Sequence, residues 1–186
     1  FTGQQMTNNA THSSPSNSTS KGIIFNASAQ QILQTNSGAV FGNLIIDNSS
    51  GVTFTDVVQT YRVNNLLVLD EGILDIGPAL LLLDADADIQ GDAASEGTFG
   101  SDFSNFSESA QIQTNSSIID FGVEKEFNAG TTADFTFPVG EDTRYTPVKI
   151  SFSTATSGTS GNSNGSVRVR PRNAVAPVMN SEAQSV

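Results

Sequence analysis

The sequence has no cysteine and few positive charges. Without cysteine the chain can form neither disulfides nor a thiolate metal site, so burial and backbone pairing must stabilise the fold. Only 8 Lys and Arg residues stand against 19 Asp and Glu, which gives a net charge of −11. This charge disfavours binding to nucleic-acid phosphates or to anionic lipid. We therefore expect no nucleic-acid partner and no insertion into a membrane.

Long apolar runs and helical patterns are also missing. The longest apolar stretch, Ile76 to Leu83, is far shorter than the roughly 20 residues that cross a membrane. The first residues lack the basic and apolar regions of a signal peptide, which is typical of a mature product or an excised segment. Ser, Thr, Asn and Gly recur throughout and disfavour helix interiors. The composition therefore predicts an all-β chain.

A phrase of about twenty residues repeats along the chain. "FGNLIIDNSSGVTFTD" begins at Phe41, and "NNLLVLDEGILDIG" begins at Asn64. Each phrase contains an apolar run ending in Asp, a polar or glycine-containing turn, and a second apolar run. Such repeats favour a β-solenoid, because one coil cannot bury its own inner face and must stack on the next. A meander of hairpins in a β-sandwich is the alternative, since its strands recur with similar turn signals.

Alternation of apolar and polar residues predicts which side chains face inward. It is clearest from Ala79 to Gln90, where it predicts a single strand. The predicted inner residues are Leu44, Ile46, Val52, Phe54, Leu67, Leu69, Leu81, Leu83 and Ile89.

Changes in composition divide the chain into three predicted segments. Residues 1–21 are polar and are expected to be an extended or flexible lead-in. Residues 22–127 carry the repeats and are expected to form a β-solenoid of the right-handed β-helix type. Residues 128–186 contain longer alternating strands and are expected to form a β-sandwich module. We expect this module to be incomplete, because two or three strands with an exposed edge are not independently stable.

An acidic cluster is the candidate metal site. "DADADIQGD" places Asp84, Asp86, Asp88 and Asp92 close together, and carboxylate oxygens are the ligands that Ca²⁺ prefers. The spacing is not that of an EF-hand, because the sixth position lacks Gly and the twelfth lacks Glu. The alternative is a solvated acidic face that keeps a strand edge from pairing with other chains.

A catalytic function is the competing hypothesis. Asp84, Asp86 and Asp88, together with Lys125 or Arg144, offer the residue types found in carbohydrate-active β-helix enzymes. Hydrolysis, however, needs two carboxyl groups held at a defined separation across a cleft. The only histidine, His12, lies in the polar lead-in, so it offers no base for a nucleophile near the repeats. We therefore predict that the chain is not an enzyme.

Spaced phenylalanines suggest a second contact surface. Phe99, Phe103 and Phe106 could stack on sugar rings. Their spacing beside Gly is more typical of side chains that close the end of a solenoid or pack a module junction.

Taken in order, these motifs resemble the repetitive extracellular proteins of Bacteroidetes. The resemblance rests on "GIIFNASAQQILQTNSGAVFGNLIIDNSSGVTF" from Gly22, "NLLVLDEGILDIGPALLLLDADADIQG" from Asn65, and "FTFPVGEDTRYTPVKI" from Phe135. It implies a large surface protein, exported by the type IX secretion system, that acts as an adhesin or appendage component. The expected partners are other copies or modules of the same protein and cell-surface polysaccharide.

The combined expectation is a non-catalytic structural or adhesive segment of an extracellular, cell-surface protein. Inner positions stay apolar from repeat to repeat while outer positions vary, which suits a spacer or a broad contact surface. A carbohydrate-active enzyme or carbohydrate-binding module that uses Asp84, Asp86 and Asp88 is the alternative. No cofactor is expected apart from the calcium considered above.

Overall fold

The computed structural model describes residues 1–13, 21–55, 59–91, 106–114, 121–130, 132–141, 144–153 and 165–172. Within these ranges the chain forms strands and turns and no helix, so the predicted all-β class is confirmed. The strands are β1 (Gln5–Thr7), β2 (Ile23–Phe25), β3 (Gln31–Gln34), β4 (Ala39–Asp47), β5 (Val52–Phe54), β6 (Thr60–Glu71), β7 (Leu74–Asp75), β8 (Leu80–Leu83), β9 (Asp88–Gln90), β10 (Ile112–Gln113), β11 (Gly122–Phe127), β12 (Ala133–Phe137), β13 (Val139–Glu141), β14 (Arg144–Tyr145), β15 (Val148–Phe152) and β16 (Gly165–Val169).

The strands build two large sheets and one small antiparallel pair. Sheet A has the order β1-β3-β5-β7-β10-β13-β14, and sheet B has the order β16-β11-β8-β6-β4-β2, with β9 also paired to β6. Among the described strands, β12 and β15 pair only with each other. From β1 to β8 the described strands alternate between sheet A and sheet B. Each pair of consecutive strands therefore adds one strand to sheet A and one strand to sheet B.

Pairing within the two large sheets is parallel over most of their width. Val52 lies beside Leu74 in sheet A, and Leu44 lies beside Leu67 in sheet B, so the repeats seen in the sequence are neighbours in space. Antiparallel pairing occurs where β14 joins β13 and where β16 joins β11. These two strands form one edge of sheet A and one edge of sheet B.

The core lies between the two sheets. All nine predicted inner residues are buried, none more than 2% exposed, and they belong to one continuous apolar cluster. A smaller cluster that the alternation did not predict contains Ile45, Leu66 and Val68, with Ile24 packed against it. These side chains are buried although their neighbours in the strand face the main core, so parts of β4 and β6 are covered on both faces.

A corner of the fold is held by buried amides and a glycine. The side-chain nitrogen of Asn48 donates to the carbonyl of Ala29 and to Gln31 Oε1, both at 2.9 Å. Gly72 has φ +89°, and a Cβ there would lie 1.8 Å from the carbonyl oxygen of Asn48. Only glycine fits at this position, because successive turns of the chain approach each other too closely for a side chain.

The expected lead-in contributes a strand. β1 pairs in parallel with β3, and Gln31 Nε2 donates to the carbonyls of Phe1 and Gly3 at 2.9 and 2.7 Å. Backbone pairing needs no alternation of apolar side chains, which is why the polar sequence did not reveal this strand. Residues 14–20 lie outside the described ranges.

Strands beyond residue 128 pair both with each other and with earlier strands. β12 and β15 form an antiparallel pair, whereas β13 extends sheet A and β16 extends sheet B. Pairing therefore crosses the expected boundary between residues 127 and 128. The three segments 1–21, 22–127 and 128–186 stay predictions.

Candidate functional site

The acidic cluster does not lie on one strand as predicted: Asp84 and Asp86 lie in a turn, and Asp88 begins the next strand. β8 ends at Leu83 and β9 begins at Asp88, and the backbone N–H of Ala87 donates to the carbonyl of Asp84 at 3.0 Å. The expected single strand from Ala79 to Gln90 is therefore wrong. Aspartate is rare in strands and common in turns. The repeated Asp residues therefore break the strand, although their spacing continues the apolar and polar alternation. Residues 84–88 are called the acidic turn below.

Each carboxylate of the acidic turn has a different neighbour. Asp84 forms an ion pair with Arg62, and Asp86 accepts a hydrogen bond of 2.8 Å from the side-chain amide of Asn128. Asp88 accepts from the backbone N–H of Ile89 at 2.8 Å. Asp92, the fourth predicted ligand, lies outside the described residues.

No cluster of three or more acidic or histidine side chains suited to a metal ion is found in the described ranges. The calcium site stays a prediction.

Lys125 lies buried beneath the acidic turn. Its side chain is on β11, and the residue is only 4% exposed. The ammonium donates to the backbone carbonyls of Asp84 and Ala85, at 2.5 and 2.7 Å. Burial lowers the pKa of Lys125 from 10.5 to about 8, against the opposing attraction of Asp88, Asp86, Asp84 and Glu126. The ammonium is therefore largely removed from water, with two backbone carbonyl oxygens as hydrogen-bond acceptors and the rings of Phe127 and Phe135 at 5.4 and 5.8 Å.

Arg62 links the acidic turn to β11. Its Nη2 contacts Asp84 Oδ1 and lies 3.1 Å from Glu126 Oε2. All three side chains are partly exposed, between 26% and 33%. One guanidinium thus joins a carboxylate of the acidic turn to a carboxylate of β11.

A polar cleft opens beside the acidic turn. It has a volume of about 360 Å³ and is lined by Asn64, Asn65, Asp84, Ala85, Asp86 and Asn128. The side-chain oxygen of Asn64 is buried and has no hydrogen-bond partner among the residues that the structure describes. Amides and carboxylates side by side can both donate to and accept from hydroxyl groups, so the cleft suits a small polar ligand.

Other predicted contact residues lie elsewhere. Phe106 is 7% exposed and belongs to the main core, so it offers no free ring to a sugar and matches the packing interpretation. Phe99 and Phe103 lie outside the described residues. Arg144 lies exposed on β14 in sheet A, whereas the acidic turn follows a strand of sheet B.

Sequence reasoning named Lys125 but missed Arg62 and Asn128. For Arg62 the missing signal is strand register: Arg62 lies beside Leu82, which places its side chain within reach of Asp84, two residues further along. Asn128 lies after the end of β11, and no pattern in the sequence indicated its contact with Asp86.

Comparison with known proteins adds no family to this picture. The chain matches no protein-family model, no curated protein and no solved structure. Within the described ranges, no helix has the length and apolar character required to cross a membrane.

Proposed function

We propose that residues 22–127 form a β-solenoid, and that the chain is a non-catalytic structural and adhesive segment of a large secreted cell-surface or appendage protein. The observation that carries the proposal is the parallel pairing of strands that lie about twenty residues apart in the sequence. The chain adds a strand to each sheet in turn, and one apolar cluster continues through the stack. A stack of this kind grows by repetition and suits a rigid spacer.

Uniformity on the inner side of the stack and variation on its outer side support the same function. The inner row of sheet A, read across three neighbouring strands, is Val52, Leu74 and Ile112. The adjacent outer row is Thr53, Asp75 and Gln113. The inner row is uniformly apolar, whereas the outer row mixes hydroxyl, carboxylate and amide groups. Repeated polar rows permit many weak contacts at once, as adhesion requires.

The antiparallel strands define the second part of the proposal. In this proposal, β12 and β15 belong to a partial β-sandwich module. The support is their antiparallel pairing with each other, whereas β13 and β16 lie in the two large sheets. The proposed location is extracellular, on the cell surface, with export by the type IX secretion system as the Bacteroidetes resemblance implies. The proposed partners are other copies or modules of the same protein and cell-surface polysaccharide.

Attachment measured without turnover tests the proposal. Beads coated with the full chain should adhere to cells or to immobilised polysaccharide more than beads coated with an unrelated acidic protein. Release of reducing sugar from the same polysaccharide should stay at the level of the buffer. Cleavage that is abolished by Asp84→Asn or Asp86→Asn would instead establish the enzyme alternative.

Carbohydrate binding at the polar cleft is a second candidate function. It is favoured by the lining of Asn64, Asn65, Asp86 and Asn128, since amide and carboxylate groups together can bind neighbouring hydroxyls of a sugar. Arg62 pairs with Asp84, so part of the negative charge at the cleft is balanced by the protein. A neutral saccharide then fits better than an anionic one.

Calorimetric titration of neutral oligosaccharides into the full chain tests this candidate. Asn128→Ala should weaken binding several-fold, because it removes one of the amides that line the cleft and that could bind a sugar hydroxyl. Asn36→Ala is the control, since Asn36 is an exposed asparagine outside the cleft lining. Equal affinities for both variants and the wild type would place any sugar contact elsewhere.

A further inference from the structure

Phe1 pairs with the edge of sheet B, beside β2. Among the described strands β2 is the last of its sheet. The terminal ammonium of Phe1 donates to the carbonyl of Ile24, and the carbonyl of Phe1 accepts from the N–H of Asn26 at 3.4 Å. Two bonds that flank one residue in this way are the pattern of a parallel strand pair. Phe1 is therefore in parallel register with Phe25, and the two rings meet edge to face with centroids 5.6 Å apart.

This register makes Phe1 the next member of an inner column of the stack. Phe25 lies beside Ile46, and Ile46 lies beside Leu69. All three are buried in the main core. Phe1 also precedes β1 of sheet A as β2 precedes β3 and β4 precedes β5. Phe1 thus takes the place of a sheet B strand one coil before β2, but it supplies only one residue of that strand.

The rest of this edge is only partly covered. Ile23 and Ile24 of β2 are half-buried, whereas Leu44 and Ile45, which lie beside them in β4, are fully buried. The ring of Phe1 is 41% exposed. Ile23 packs against the main core and Ile24 against the smaller apolar cluster. Both faces of β2 therefore present apolar surface to a strand on its outer side.

The opposite end of the stack is closed in another way. Antiparallel strands form the edges there, β14 in sheet A and β16 in sheet B. Phe135 and Phe137 of β12 join the main core, and the ring centroid of Phe135 lies 6.0 Å from that of Phe127. The parallel pattern is interrupted at that end, so the end at β1 and β2 is the one that presents the geometry by which the earlier coils stack.

We propose that the edge of β2 binds one more parallel strand, formed by residues joined to the N-terminal side of Phe1. The residue directly before Phe1 lies beside Ile24, over the smaller apolar cluster. The residue before that lies beside Ile23, in an inner column with Leu44. The strand that fits is apolar at both positions, as β4 is at Leu44 and Ile45. The inference rests on the stacking part of the proposed function and does not depend on adhesion.

Two extended versions of the full chain test the proposal. One carries Gly-Asn-Leu-Ile before Phe1, which copies residues 42–45 and places Leu beside Ile23 and Ile beside Ile24. The matched control carries Gly-Asn-Asp-Gly, which has the same length but no large apolar side chain and two residues that are rare in strands. Both extensions move the terminal ammonium away from the Ile24 carbonyl, so their difference reports on the added strand. The measurements are amide hydrogen exchange, thermal melting and sedimentation, with the unextended chain as reference.

The apolar extension should protect the edge of β2. The N–H of Ile24 points to the same side as its carbonyl and gains an acceptor from the added strand. Its exchange should slow by about tenfold relative to the control, because the new hydrogen bond must open first. The Tm should rise by several degrees, since the added Leu is buried in the inner column. The amide of Ser166 on β16, at the other end of the stack, should exchange equally in both.

Equal exchange at Ile24 and equal Tm in the two extended chains would overturn the proposal. Protection of Ile24 that rises with protein concentration in the unextended chain, together with dimers in sedimentation, would also overturn it, because a second copy would then be the strand that binds the edge. Slower exchange at Ile24 in the monomeric chain with the apolar extension supports the inference whether or not the coated beads adhere.

Discussion

The stacked repeats and the acidic turn are built in opposite ways. In the stack, Leu44 lies beside Leu67, and both were predicted to be internal from the alternation of their own strands. In the acidic turn, Asp84 contacts Arg62 and Lys125, which lie 22 and 41 residues away in the sequence. The stack repeats a local pattern, whereas the turn depends on single residues from other strands. Substitutions should therefore affect the two regions differently.

The largest effect is expected in the stack. Leu67→Ala should lower the free energy of unfolding by about 2–5 kcal/mol, because it leaves a cavity among fully buried side chains. Leu67 is 0% exposed. Leu82→Ala is the matched control, since Leu82 is only half-buried on β8. Denaturant unfolding measures both, and equal losses would show that the stack is not packed as described.

The pH dependence of stability should identify the buried lysine of the acidic turn. The pKa of Lys125 falls to about 8 in the folded chain, against 10.5 as its ordinary value. Between these values the unfolded chain keeps a proton that the folded chain has lost, so the free energy of unfolding rises with pH. Below about pH 8 the cost of burying the charge is present in full.

The Lys125→Met variant isolates this contribution, because it has no group to titrate. From pH 8 to 10.5 the wild type should gain up to about 3 kcal/mol relative to the variant, the free energy that corresponds to the difference in pKa. Denaturant unfolding at several pH values provides the comparison. Parallel curves for the two proteins would mean that Lys125 titrates normally and is not buried as a cation.

The close contact between Gly72 and the carbonyl of Asn48 predicts a smaller loss of stability. Gly72→Ala should cost about 1–3 kcal/mol, because a Cβ would meet the carbonyl of Asn48 in a backbone conformation that already disfavours alanine. Gly130 has a similar φ of +81°, but no atom lies within 4 Å of the position that a Cβ would take there. Gly130→Ala should therefore cost less, and thermal melting of the two variants separates the clash from the backbone strain.

The smallest effects concern ion pairs. Arg62→Met should cost about 1–2 kcal/mol, since it removes hydrogen bonds between charged groups from both Asp84 and Glu126. Lys149→Met should stay within about 0.5 kcal/mol, because its ion pair with Asp134 is mostly exposed. Denaturant unfolding in low and high salt checks both values. An equal loss of stability in the two variants would show that the ion pairs of Arg62 do not stabilise the contact between the acidic turn and β11.

Local patterns in the sequence determined the class of the fold and much of its core. Alternation identified the inner residues from Leu44 to Ile89, because side chains of a strand point to opposite faces whatever the strand pairs with. The abundance of Ser, Thr, Asn and Gly predicted strands without helices. The repeat of about twenty residues anticipated which strands become neighbours.

Tertiary structure alone decided the surroundings of the acidic turn. Each Asp is followed by Ala or Ile in a pattern that resembles a strand, and only the turn itself shows that Leu83 and Asp88 belong to different strands. Arg62 and Lys125 reach the turn because parallel pairing places β6 and β11 in register with β8, and Asn128 directly follows β11. Sequence distance hides such contacts, since register depends on every strand between them. The smaller cluster of Ile45, Leu66 and Val68 was not anticipated either, because alternation along the strand assigns these side chains to the outward face.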